Sequence, residues 1–124
     1  MKLRQIIAEI ETDTVRNFRI EQMRKKFNLK DNTVWISAYH GTSEKNVKGI
    51  ERSGFKSGSW FAIDQETATK YSKQAGGKPF IMSVRLYIGS LLPNGDYMTS
   101  QEPLISTSVG YVPKDLTRKV YDME

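Results

Sequence analysis

Phe80, Met82, Val84, Leu86 and Ile88 alternate along the chain with Ile81, Ser83, Arg85 and Tyr87. A period of two puts one set of side chains on one face of an extended backbone, so this run reads as a long strand with an apolar face turned to a core. A chain of 124 residues has room for one such core and not for two. We therefore expect a single domain over 1–124, with a helical segment at 1–30 and a mixed core from 33 to 124.

The rest of the pattern fills in around that strand. Leu3, Ile6, Ile7 and Ile10 fall at i, i+3, i+4 and i+7, the stripe of an amphipathic helix. Thr12 or Asp13 can cap a second helix that carries Val15, Phe18 and Met23 inward. The cation-rich run from Arg24 to Asp31 ends it and reads as a solvated face. Thr33–Tyr39 is β-branched and aromatic enough for a strand, which delivers His40 to a tight turn at Gly41. A short helix follows, capped by Thr42 or Ser43 and stopped at Gly54. Trp60–Ile63 is a short strand, and Asp64 caps a helix that ends at Gly76-Gly77. Pro93–Asp96 is a turn, and short strands follow at Glu102–Ser106, Val109–Val112 and Arg118–Tyr121. Helices first and sheet later suit the α+β class.

Composition narrows the chemistry. The 38% hydrophobic and 27% charged residues are those of an ordinary globular protein. With no cysteine and one histidine, neither disulfides nor a thiolate or imidazole metal cluster is expected, so we expect no metal. The opening Met1–Glu9 lacks the apolar core of a signal peptide, and no run is long enough to cross a bilayer. This gives the expectation of an intracellular, cytoplasmic protein with no membrane partner, monomeric by default. A net charge of +5 favours acidic partners such as nucleic acid, an anionic cofactor or an acidic protein surface, and equally suits a merely soluble basic protein.

The segments Tyr39-His40-Gly41-Thr42 and Gly58-Ser59-Trp60-Phe61-Ala62, followed by Ala68, Tyr71 and Glu102, resemble the ADP-ribosyltransferases of the diphtheria-toxin-like and poly(ADP-ribose)-polymerase-like branch. The resemblance spans residues 38 to about 105. It implies a split β-sandwich of short strands and NAD as substrate, with the ADP-ribose passing to a macromolecular acceptor, protein or nucleic acid. By position, His40 corresponds to the residue that hydrogen-bonds a ribose hydroxyl, and the Gly41 backbone to the group that holds the nicotinamide carboxamide, with Thr42 beside them. Trp60 and Tyr71 correspond to the aromatic walls around the nicotinamide ring, adjoined by Phe61, with Ala68 the small residue that admits the ring. The family usually has Tyr at the position of Trp60.

Glu102 is the candidate catalytic carboxylate. Breaking the nicotinamide–ribose bond develops positive charge on the sugar, and a carboxylate beside it stabilises the transition state more than the ground state. Glu66, in the first turn of a helix, and Asp96, in a turn, are the rivals. Ser100 stands where arginine-modifying relatives usually place a Glu, which disfavours arginine as acceptor. Arg52 and Lys56 can meet the pyrophosphate or simply lie on the surface. Two other functions remain open on these residues: an NAD glycohydrolase, with water as acceptor, and a non-catalytic basic domain that binds nucleic acid or protein. Without the motif, His40 is a satisfied turn histidine and the two aromatics are core residues.

Overall fold

A computed structural model describes residues 3–117, with side chains from Asp13 onward. The elements run α1 (Leu3–Phe27), β1 (Trp35–Ser43), α2 (Glu44–Ser53), β2 (Trp60–Ala62), α3 (Gln65–Gln74), β3 (Pro79–Tyr87), β4 (Leu91–Asn94), β5 (Tyr97–Ser100), β6 (Leu104–Ser106) and β7 (Tyr111–Pro113). The class is α+β. All seven strands belong to one mixed sheet, ordered β4-β5-β2-β1-β3-β7-β6. The expected strand at Arg118–Tyr121 lies outside the described residues.

The alternating run is β3, and it sits at the centre. It pairs antiparallel with β1 along the full length of both, from Trp35↔Tyr87 to Ser43↔Pro79, and parallel with β7 at Leu86↔Tyr111. Met82, Val84 and Leu86 are buried as the period demands, and Phe80 at the strand's start is 41% exposed. Ile36 and Ala38 of β1, Phe61 of β2 and Met98 of β5 continue the same apolar face. Ile20 and Met23 of α1, with Phe55 and Leu104, complete that core.

The N-terminal segment is one helix and not two. No Gly or Pro interrupts residues 3–27, and Asp13 is exposed on the helix surface, so its capping potential goes unused. The inward stripe is Arg16, Ile20, Met23 and Phe27, at i, i+4, i+7 and i+11. Val15 and Phe18 fall off that stripe and are 45% and 59% exposed, which corrects their expected burial. Arg24 is not a free solvated cation: its Nε and Nη2 donate to the Thr33 carbonyl at 3.1 and 3.0 Å, tying the helix end to the approach of β1.

The turn expected at Gly41 is also corrected. β1 runs straight through His40, Gly41 and Thr42 to Ser43. The glycine is required by packing: a Cβ there would overlap the Ala68 carbonyl oxygen of α3, so only glycine lets the helix lie on the strand. Ser43 takes the N-cap position of α2, though its hydroxyl makes no cap bond. Gly54, at φ 81°, ends α2 as expected and passes against the Leu104 carbonyl. Asp64 caps α3, accepting from the Thr67 N–H at 2.7 Å and the Thr67 hydroxyl at 2.9 Å. The turn at 93–96 closes more tightly than its four residues suggest, because only Gly95 and Asp96 separate β4 from β5. Among the described residues, no helix is long and apolar enough to cross a membrane.

Candidate functional site

The centre of the sheet contains a seam. β1 pairs with β2 at one position only, Tyr39↔Ala62, whereas β2 pairs with β5 along its whole length. One residue past that pair, the His40 ring takes over: its Nδ1–H donates to the Trp60 carbonyl at 2.7 Å. A side chain thus replaces the next rung of the ladder. With Nδ1 carrying the proton, Nε2 of the neutral ring is an acceptor. Burial pushes the imidazole below its ordinary value, and the bond to Trp60 only partly opposes this, so the ring is neutral near pH 7. Phe55 stands edge-on to it, with centroids 4.9 Å apart, and Phe61 is tilted against it at 5.5 Å.

His40 opens onto a groove of about 700 Å³ between α2, the 54–59 loop and Pro103. Lys45 and Lys56 line it together with Thr42, Asn46 and Ser57, and among the described residues no carboxylate does. A groove of this kind favours an anionic group near a hydroxyl that His40 can accept from. Its floor is rigid. Phe55 exchanges backbone bonds of 2.7 and 2.8 Å with Leu104, and Ser100 Oγ donates to the Lys56 carbonyl at 3.0 Å while accepting from the Ser59 N–H at 3.1 Å. Ser100 is 1% exposed, so its part is to pin this loop.

Trp60 and Tyr71 lie on the other face of the sheet, the α3 side. Successive strand residues point to opposite faces, so Gly41 and Trp60 face α3 while His40 and Phe61 face the core. The Trp60 and Tyr71 centroids are 5.8 Å apart at 35°, and Tyr97 stands edge-on to both, at 5.5 and 4.7 Å. Burial, the neighbouring Tyr97 and a hydrogen bond with it raise the Tyr71 phenol above its ordinary value. Seating a flat ring between two others needs roughly 7 Å, twice the ordinary carbon contact distance. The two rings therefore touch each other in this conformation, with Trp60 37% exposed at the outer edge of the cluster.

The remaining candidates divide. Thr42 lines the groove, buried, and its Oγ1 accepts from Asn46 Nδ2 at 3.3 Å. Phe61 and Ala68 are each 1% exposed: Phe61 is a core residue beneath His40, and Ala68 packs α3 onto Gly41 instead of bordering an opening. Lys56 is on the groove and Arg52 is not among its lining residues. Glu66 and Asp96 are exposed, away from the groove lining.

Glu102 is not brought into the groove, whose lining takes the next residue, Pro103. Its carboxylate is held by α1: Arg16 Nη2 donates to Oε1 at 2.9 Å and Arg19 Nη1 to Oε2 at 3.0 Å. Arg16 Nη2 also reaches Asp115 at 2.7 Å. Burial works against the Arg16 charge, but the bonds from Asp115 and Glu102 outweigh it and raise the guanidinium above its ordinary value. Sequence reasoning missed Phe55, Tyr97 and this pair of arginines. A signal for Arg16 existed: it is the one charged position on the stripe Ile20, Met23, Phe27. Among the described residues, no His, Cys, Asp or Glu group could hold a metal ion. The chain matches no protein-family model and no curated protein sequence.

Proposed function

We propose that the seam between β1 and β2 is an NAD-binding cleft and that the protein is an ADP-ribosyltransferase, passing ADP-ribose to a macromolecular acceptor. The observation that carries this reading is the bond from His40 Nδ1 to the Trp60 carbonyl. It ties the imidazole, whose Nε2 is left to accept, to the backbone of the residue whose indole stands beside Tyr71, so that both groups meet at the one joint between β1 and β2. His40 Nε2 would accept a ribose hydroxyl, and Lys45 and Lys56 would meet the pyrophosphate. Trp60, swung off Tyr71, would admit the nicotinamide between them.

Glu102 is the carboxylate assigned to the chemistry. The bond between the ribose carbon and the nicotinamide nitrogen breaks, its electron pair leaving with neutral nicotinamide. The acceptor's nucleophile bonds to the same carbon and releases its proton. Glu102 would offset the positive charge that develops at the carbon between the two events. The split-sandwich architecture of that family, its intracellular setting and the macromolecular acceptor belong to the same proposal. A second reading is favoured by one observation, the engagement of both Glu102 oxygens by arginines: a nucleotide-binding domain without turnover.

Incubation with labelled NAD, with and without cell lysate, tests this. We expect released nicotinamide and a labelled macromolecule, with Glu102→Gln lowering the rate by about 10²- to 10⁴-fold at little change in NAD affinity. Binding without release establishes the second reading. Free ADP-ribose formed at full rate without lysate makes the protein a glycohydrolase.

A further inference from the structure

Arg16 and Arg19 sit one turn apart on α1 and take one Glu102 oxygen each, at 2.9 and 3.0 Å. Arg16 is held in an imperfect geometry. Its side chain is 5% exposed, one nitrogen serves both Glu102 and Asp115, and its Nε is buried with no acceptor. An orphaned buried donor disfavours this arrangement relative to one in which the guanidinium turns and pairs fully. The same turns of α1 expose Val15 and Phe18 outward, where a contact can act on the helix. Meanwhile Pro103, directly beside Glu102, borders the groove, so the carboxylate, held by the two arginines, belongs to the residue next to the lining and not to the lining itself.

We infer that α1 is an autoinhibitory strap: Arg16 and Arg19 hold the Glu102 carboxylate away from the groove, and it becomes available when they let go. The inference rests on the reading of Glu102 as the carboxylate that promotes nicotinamide release. It fixes a sign, since arginines that merely positioned an active carboxylate would be needed for the rate, and arginines that withhold it lower the rate.

The test is nicotinamide release from NAD by the full chain carrying Arg19→Gln, Arg16→Gln, both together, and Glu102→Gln alone. Thermal unfolding of each variant is followed in parallel. Arg19 is the primary site because it is the less buried of the two. We expect Arg19→Gln to raise kcat several-fold and the double variant about tenfold or more, with KM for NAD unchanged. Arg19→Lys, which keeps the charge, should restore the low rate, and Glu102→Gln in the double-variant background should abolish the gain. A lower or unchanged kcat in a folded Arg19→Gln variant, with Glu102→Gln inactive, overturns the strap alone. Release by Glu102→Gln at the wild-type rate, or no release by any folded variant, overturns the reading of Glu102 and the strap with it.

Discussion

At the His40 end of the cleft, backbone places every group: the imidazole sits in the middle of a strand, its partner is a carbonyl of the next strand, and its neighbours are core rings. At the Glu102 end, two long side chains place the carboxylate, and they come from a helix at the far end of the sequence, 86 and 83 residues away. The first arrangement cannot shift without disturbing the sheet. The second can be undone by rotating a few side-chain torsions. A site assembled from both has a fixed binding half and an adjustable chemical half, and the two should respond to mutation in different ways.

The largest effect expected at the fixed half is on the fold itself. Gly41→Ala drives a methyl into the Ala68 carbonyl and should cost about 3 kcal/mol or more, read as a lowered urea midpoint. A stability close to wild type would mean that α3 can lift off β1. The next effect is on binding. Because burial holds the His40 imidazole below its ordinary value, the unfolded chain takes the proton more readily than the folded one. The stabilisation is therefore complete above the ordinary imidazole range and is lost as pH falls through it. NAD affinity should fall only at lower pH, where the folded chain's own imidazole takes the proton, by up to about tenfold per pH unit, and His40→Gln should flatten that dependence in calorimetric titrations. The smallest is at the aromatic cluster. Trp60→Leu removes the ring contacts with Tyr71 and Tyr97 and should cost about 1 kcal/mol of stability, while weakening NAD binding and leaving the His40 pH dependence in place.

The two halves also differ in how far they could be read without coordinates. β3, the strand approaching His40, the Asp64 cap and the Gly54 stop follow from local rules of alternation, β-propensity and capping, and local rules act over a few residues. The burial of Phe61 beneath His40 follows from the same alternation once β2 is paired. Gly41 reads locally as a turn because its glycine serves a helix packed from 27 residues further along, and no local rule reports that. Val15 and Phe18 read as inward because a helix stripe shows which positions share a face, not which face meets the core. Tyr97 joins the Trp60 cluster only through the β2/β5 register, Ala62↔Tyr97, and the arginine pair on Glu102 only through the docking of α1. Both are contacts of high sequence separation.

The seam has a mechanical meaning as well. Between the block β4-β5-β2 and the block β1-β3-β7-β6, the sheet is joined by a single residue pair and one imidazole. The imidazole works as a rivet across that joint, whereas the other one-pair join of the sheet, Leu86↔Tyr111 between β3 and β7, has no imidazole across it among the described residues. The buried core runs on beneath it from Phe61 and Met98 to Ile36 and Val84, so a molecule lodged there would add its own ties to a joint held by packing more than by backbone pairing.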